Sequence, residues 1–267
     1  MPKSEVKNNI NEKVSPAGGD LRGAPMLELV TTADGSKTIY NSEVGENYHS
    51  RHGALQESRH VFLNAGLKYF LDQIKISPTG GNSPGVQTGL ERAGVVSILE
   101  VGFGTGLNFL LSADYCTDQQ TGLQYTGIEA YPLSNELISQ TGYGEYISAP
   151  VWDSFLKHYP ESLIKPVEIN THCQLQTIHC KLLDFKSDTK YDVIYFDAFA
   201  SVNQPEMWDE KAISHTIRFL KPGGIFVTYA ITGNLKRTLK SLGLKVEKAP
   251  GAPGKREMLR AVKCADQ

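Results

Sequence analysis

Four carboxylates stand where apolar runs end. Glu100 lies near the end of the run 95–101, Glu129 follows 123–128, Asp184 follows the run around 175–179, and Asp197 follows 191–196. Behind Glu100 comes Val101-Gly102-Phe103-Gly104-Thr105-Gly106-Leu107-Asn108. Short β-branched and aliphatic runs that break into glycine and then into mixed polar and apolar residues read as a buried parallel strand, a tight loop and a helix N-terminus. Glycine lets such a loop take left-handed backbone angles and lets a ligand approach the main chain. In open α/β sheets the ligand crevice lies outside the carboxyl ends of the strands, so all four acids are expected to face it. Carboxylates there accept from hydroxyls and amines and balance cations. The loop does not fit a phosphate ligand. The NTPase loop needs Lys-Ser/Thr after its last glycine, where this chain has Leu107-Asn108. The dinucleotide fingerprint needs a sixth-place glycine, where this chain has Leu107.

The remaining pattern, acid-x-Gly-x-Gly-x-Gly, resembles the first motif of class I S-adenosylmethionine methyltransferases. That resemblance implies a ligand with an ammonium, a carboxylate and a sulfonium but no phosphate. Glu100 would serve the cationic end while the glycine backbone accommodates the methionine moiety. Glu129, at the tip of the second strand, would take both ribose hydroxyls through its two oxygens. Asp184 would accept from the exocyclic amine of adenine, and Phe185 would offer its backbone N–H or its ring. The cofactor-binding set is then Glu100, Gly102, Phe103, Gly104, Thr105, Gly106, Asn108, Glu129, Ala130, Asp184, Phe185 and Asp197. Plainer readings stay open beside it: a glycine-rich turn of an unrelated α/β protein, a surface acid at a strand end, and a loop acid beside a core phenylalanine.

The elements that must position these residues follow in order. Residues 1–25 are rich in charge, Asn, Pro and Gly and are expected to be a mobile tail or an expression remnant. An extension at 26–94 follows. It opens with a β-hairpin over 27–40 turned at Asp34-Gly35 and a polar, aromatic stretch 41–53. A helix carrying Leu55, Phe62, Ala65 and Tyr69 comes next, and then a Gly/Pro/Ser-rich linker over 77–94. The catalytic domain is expected at 95–267, with strands at 123–128, 175–179, 191–196 and 225–229 and closing strands at 244–248 and 257–262. Its helices are expected over 131–166, over 203–220 through Asn203-Gln204-Pro205-Glu206-Met207-Trp208, and over 234–242. Lys221-Pro222-Gly223-Gly224 reads as a turn. The expected fold is a Rossmann-like α/β sheet, mostly parallel with one antiparallel strand near the C-terminus, carrying the N-terminal hairpin and helix as an extension.

The chain has 267 residues, 40% of them hydrophobic, and a net charge of −2. It therefore has material for a sizeable core but no global basic field, and a nucleic-acid partner would need a local patch. There is no secretory apolar region and no long apolar run, so neither export nor membrane insertion is expected. Cys116, Cys173, Cys180 and Cys264 form no CxxC pair, which suits free thiols in the cytoplasm. The pairs His172-Cys173 and His179-Cys180 invite a metal reading, but they sit at opposite ends of a predicted strand, about 20 Å apart, and no metal is expected.

Several separated stretches share one further resemblance. They are 53–63 (Gly-Ala-Leu-Gln-Glu-Ser-Arg-His-Val-Phe-Leu), Glu100 to Phe109, Gly127-Ile128-Glu129-Ala130-Tyr131-Pro132-Leu133, Phe196-Asp197-Ala198-Phe199, Asn203-Gln204-Pro205-Glu206-Met207-Trp208 and Lys255-Arg256-Glu257-Met258-Leu259. Together they resemble the methyltransferase half of the bacterial tRNA 5-methylaminomethyl-2-thiouridine biosynthesis bifunctional proteins, or a stand-alone form of it. The resemblance implies N-methylation of 5-aminomethyl-(2-thio)uridine at the tRNA wobble position, with the anticodon loop of tRNA as partner and Asp197 as the catalytic residue that orients the amine. It implies substrate contacts from Tyr48, Glu57, Phe199, Trp208, Lys255 and Arg256, with the aromatics stacking on a splayed base. Lys236, Arg237, Lys240, Lys255, Arg256 and Arg260 are the best local basic set for phosphates. Ser201 stands where the family often has proline. The family's flavin-dependent oxidoreductase half does not follow within these residues, so the aminomethyl-uridine is expected from another route, with a functional link to the enzymes that make it. The alternatives are a class I methyltransferase acting on another RNA base or a small amine, and a non-catalytic binding module that would need no acid at Asp197. Asp197 merely capping the next turn, and the basic set as an ordinary solvated face, are the plainer readings.

Overall fold

The computed structural model describes residues 26–76 and 94–264. The tail at 1–25 and all of the 77–94 linker except Gly94 lie outside these residues. In chain order the elements are β1 (Leu27–Thr31), β2 (Lys37–Asn41), β3 (Glu46–Asn47), α1 (Ala54–Ser58), α2 (Tyr69–Ile76), β4 (Val95–Val101), α3 (Leu107–Asp118), β5 (Gly122–Glu129), α4 (Asn135–Ser139), α5 (Ala149–Ser162), β6 (Val167–Glu168), β7 (Cys173–His179), β8 (Tyr191–Phe196), α6 (Glu210–Ile217), β9 (Leu220–Thr228), α7 (Gly233–Ser241), β10 (Leu244–Pro250) and β11 (Glu257–Lys263). Between α1 and α2 the backbone runs as a π-helix over Arg59–Lys68, where a plain α-helix was expected.

The main sheet has eight strands in the order β10-β11-β9-β8-β4-β5-β7-β6. β9, β8, β4, β5 and β7 are mutually parallel, and β11 is antiparallel to both its neighbours. This is the expected sheet with one antiparallel strand near the C-terminus, plus a two-residue antiparallel edge strand, β6, that carries no clear periodicity. The chain winds outward from β4 through β5 to β7, then returns to β8 on the other side of β4. The carboxyl ends of β4 and β8 are therefore the point where the winding reverses and a crevice must open.

Strand side chains alternate between two cores, as a period of two requires. Ile98, Val193, Tyr195, Ile225 and Val227 face the core that holds Phe62, Leu67, Phe109 and Phe155. Leu99, Ile194, Phe196 and Phe226 face the one that holds Ile213, Leu235 and Leu239. Helices thus cover both faces, and the N-terminal helical run is part of the first layer, with Phe62 lying 5.2 Å from the Tyr195 ring. Gly66 permits this contact, because a Cβ there would come within 2.8 Å of that ring.

Three expected elements divide. The stretch 131–166 is not one helix: α4, a 3-10 turn at Tyr143–Glu145 and α5 are separated by Gly142, whose φ of +68° ends the first turn, and by the Pro150 that opens the last. The helix expected from Asn203 splits into a 3-10 turn at Pro205–Trp208 and α6, because the Asp209 side chain caps α6 by accepting from the Ala212 N–H at 2.7 Å. The Lys221–Gly224 turn is absorbed into β9 as an irregular register against β8. Among the described residues, no helix is long and apolar enough to cross a membrane, and all four cysteines are free thiols.

Candidate active site

The loop after β4 is shaped by three glycines, Gly102, Gly104 and Gly106, at φ of +85°, +52° and +79°. All three are forced by close approach. A Cβ on Gly102 would lie 2.5 Å from the Asp197 carbonyl oxygen, one on Gly104 2.8 Å from the Tyr48 ring, and one on Gly106 2.8 Å from the Phe155 ring. The N–H groups of Gly102 and Phe103 both bond the Ile128 carbonyl, at 3.0 and 3.1 Å, and the Asp197 N–H bonds the Val101 carbonyl at 2.9 Å. The loops after β4, β5 and β8 are thus tied together at their roots. Gly106 then starts α3.

The acids converge at this end of the sheet but do not share one environment. Glu129 is 9% exposed, and each of its oxygens holds one backbone N–H: Oε2 accepts from Gly104 at 2.8 Å and Oε1 from Tyr131 at 3.0 Å. One lone pair per oxygen remains for a hydroxyl. Loss of solvent raises its pKa, while the N–H donors of Tyr131, Gly104 and Ala130 pull it back. Ala130 is half-buried, and its carbonyl accepts from His179 Nε2 at 3.1 Å. Asp184 is exposed at the end of a 3-10 turn, Leu182–Asp184, beyond β7.

Glu100 corrects one expectation. It is fully buried, with Oε1 accepting from Asn108 Nδ2 at 2.7 Å and Oε2 from the Tyr125 hydroxyl at 2.9 Å. Desolvation, and then the Asp197 charge, hold its pKa well above the carboxylate range. Both of its oxygens are thus turned inward, and the same Asn108 Nδ2 also donates to Asp197 Oδ2 at 2.8 Å. Phe103 and Thr105 lie in the loop with their side chains turned away from it. Phe103 is core, packed on Phe109, Tyr125, Phe155 and Tyr159, and the fully buried Thr105 meets the Tyr143 hydroxyl at 3.2 Å. Only their backbone borders the loop. Phe185 offers neither its N–H, which bonds the Leu182 carbonyl at 3.2 Å, nor its ring, which is buried 4.9 Å from Phe219.

Beside Asp197 opens a cavity of about 330 Å³ lined by Glu46, Asn47, Tyr48, Glu57, Phe199, Tyr229 and Lys255 among others. Tyr48 and Phe199 meet edge to face at 5.1 Å. Glu57 is buried. Its Oε2 accepts from the Ser50 N–H at 3.0 Å, and Lys255 Nζ donates to its Oε1. Lys255 also lies 4.1 Å over the Tyr229 ring. Removal from water, with the Glu57 charge added, pushes the half-buried Asp197 carboxyl up to about 8 against the Asn108 and Lys255 contributions. Trp208 does not face this cavity as a stacking platform. Its Nε1 donates to the Phe199 carbonyl at 2.7 Å and its ring packs on Phe196 and Tyr229, so it holds the loop in place. Arg256 is exposed, whereas Arg260 is committed to Glu247 and to the face of Tyr69, which removes it from the basic set.

Sequence reasoning missed two residues. Glu46 Oε2 accepts from the Ala200 N–H at 2.9 Å and Asn203 Nδ2 at 2.8 Å, clamping the loop after β8 to the N-terminal sheet. Tyr229 stands just beyond β9 and donates to the Ala198 carbonyl at 2.9 Å. The rule that flagged the four acids, residues just past parallel strands, would have flagged Tyr229 too.

The donor set suits a cationic nucleoside. Acceptors dominate it, and the buried Oδ1 atoms of Asn47 and Asn108 accept no hydrogen bond. The glycine loop is a cradle that side chains would fill. Residues 148–264 match the family described as S-adenosyl-L-methionine-dependent methyltransferase. With the strand order, this makes the chain similar in sequence and fold to the class I S-adenosyl-L-methionine-dependent methyltransferases. It is 28% identical over 243 residues to the tRNA 5-methylaminomethyl-2-thiouridine biosynthesis bifunctional protein MnmC of Cupriavidus metallidurans, covering 86% of this chain and 33% of that protein. It is 29% identical over 220 residues to the protein of the same name from Leptospira borgpetersenii, covering 79% and 31%. The chain thus spans about a third of the length of the curated relatives it matches. The crystal structure of MnmC2 from Aquifex aeolicus shares the fold, with a TM-score of 0.68 at 22% identity over 92% of this chain and 73% of that one.

Proposed function

We propose that this chain methylates the primary amine of 5-aminomethyl-(2-thio)uridine at the tRNA wobble position. The products are 5-methylaminomethyl-(2-thio)uridine and S-adenosylhomocysteine. The observation that carries the reading is Asp197: it borders both the glycine loop and an aromatic, acid-walled cavity wide enough for a base. The names of the relatives support the same acceptor.

When bound, S-adenosylmethionine supplies a methyl carbon already activated by its sulfonium. Glu129 would hold the ribose hydroxyls, Asp184 would meet the adenine amine, and the backbone of Gly102, Gly104 and Gly106 would accommodate the methionine moiety. Tyr48 and Phe199, which meet edge to face, offer a ring face on which the splayed base stacks. Asp197 accepts a hydrogen from the acceptor amine and aims its lone pair. A carboxyl near 8 can change protonation at neutral pH, which suits a group that must receive a proton from an alkylammonium. Asn108 fixes the Asp197 oxygen, and buried Glu100 and Tyr125 fix Asn108. Asp197 would take the proton that the newly alkylated amine must lose, the methyl coming from S-adenosylmethionine, which would leave as S-adenosylhomocysteine. The reaction belongs in the cytoplasm, downstream of enzymes that install the aminomethyl group.

The test is nucleoside mass analysis of tRNA carrying 5-aminomethyl-uridine after incubation with the purified chain and S-adenosylmethionine. One added methyl on that nucleoside is the expected result. Cofactor binding without any change in the nucleoside would overturn this acceptor and leave a methyltransferase of another acceptor or a binding module.

A further inference from the structure

The cavity beside Asp197 already holds a primary ammonium, that of Lys255. Its Nζ is paired with Glu57, lies 4.1 Å over the Tyr229 ring and faces Asp197 closely enough to lower its pKa. A carboxylate, an aromatic face and a second acid are what an alkylammonium needs once it leaves water. The Glu57 side chain is itself oriented by the Ser50 N–H and is 9% exposed, whereas the Lys255 side chain is 33% exposed. The acid is therefore built into the wall and the lysine reaches it from the cavity side. Lys255 comes from the turn between β10 and β11, where its N–H bonds the Ala252 carbonyl at 2.8 Å, and four bonds of flexible stem let the ammonium leave without moving the turn.

We propose that Glu57, Tyr229 and Asp197 form the subsite for the primary ammonium of the acceptor, and that Lys255 fills this subsite until the acceptor displaces it. The proposal rests on the acceptor class given above. Displacement keeps Glu57 paired at every stage, so the buried carboxylate is never left alone. It also frees the Lys255 ammonium for an anionic phosphate only when an aminomethyl group is seated, which couples base recognition to RNA contact. Uracil without the aminomethyl group cannot replace the lysine and gains nothing there.

The experiment titrates 5-aminomethyluridine, and uridine as control, into the full chain and into Lys255→Met without cofactor. An internal competitor reduces apparent affinity by the fraction of sites it leaves open, so K255M is expected to bind the aminomethyl nucleoside about tenfold more tightly than the native chain. Uridine binding should not change, and adding Glu57→Gln should abolish the gain. Equal affinity of both proteins for 5-aminomethyluridine, or a gain shared by uridine, overturns the proposal. Lys255→Ala provides a second reading that does not depend on full stability. Millimolar ethylammonium should raise its thermal midpoint while tetramethylammonium and sodium do not, and no selective shift also counts against the subsite. If the ammonium arms succeed but no methyl reaches tRNA, the subsite stands and the proposed reaction falls.

Discussion

Asp197 is held between opposing influences. Burial and Glu57 favour its neutral form, while Asn108 and Lys255 favour the charged one, and the first pair wins. An aspartate in the unfolded chain titrates near 3.9, so the fold binds this proton more tightly. The stabilisation is complete below about pH 4 and is lost as pH rises through about 8. The thermal midpoint of the ligand-free chain should therefore fall between those limits. Asp197→Asn should flatten part of that slope in melts taken across the range. The same variant should keep cofactor binding and lose on the order of 10²-fold in kcat, the usual scale for a group that handles a proton; unchanged turnover would remove Asp197 from the reaction. Gly104 offers an independent test. Gly104→Ala puts a Cβ against Tyr48 at a φ of +52°, and the left-handed conformation alone costs roughly 1–2 kcal/mol. Calorimetry should show weaker S-adenosylmethionine binding.

Among elements, the β8 loop is decisive. It carries Asp197 and Phe199 and is secured from three sides: by the Val101 carbonyl at its root, by Trp208 and Tyr229 through the Phe199 and Ala198 carbonyls, and by Glu46 from the N-terminal sheet. The first two attachments come from the main sheet and its α6 approach, the third from β3. Glu46→Ala leaves the Ala200 N–H without its partner, at a cost of about 1–3 kcal/mol if that group stays buried. Hydrogen exchange at 198–203 should speed up, and kcat should fall more than cofactor affinity.

At the scale of the whole molecule, charge decides how RNA can be met. A net charge of −2 gives no long-range attraction, and the cavity walls are themselves acidic. For the tRNA acceptor proposed above, phosphate contacts would come from the rim. Arg256 and Lys240 are exposed, Lys236 is half-buried on α7, and Arg260 is already committed to Glu247. Reversing Lys236 and Arg256 to glutamate should weaken tRNA binding across all sequences and shrink the slope of log K against log salt by about one unit per lost contact. An unchanged slope would place the RNA elsewhere.

The strand positions, the loop glycines and the acids at strand tips were legible in the sequence because each is local: a period of two, a breaker, and a polar residue where an apolar run stops. Those patterns determined that Glu100, Glu129, Asp184 and Asp197 would gather at one end of a parallel sheet. Which acid meets a ligand was a different matter. Glu100 is turned inward by Asn108 and Tyr125, Phe185 is drawn into the core by Phe219, and Trp208 is spent on a carbonyl. Glu46, Glu57 and Tyr229 reach the site from elements far apart in the chain. Burial and pairing depend on what packs against a residue from distant segments, so only the tertiary structure could assign them.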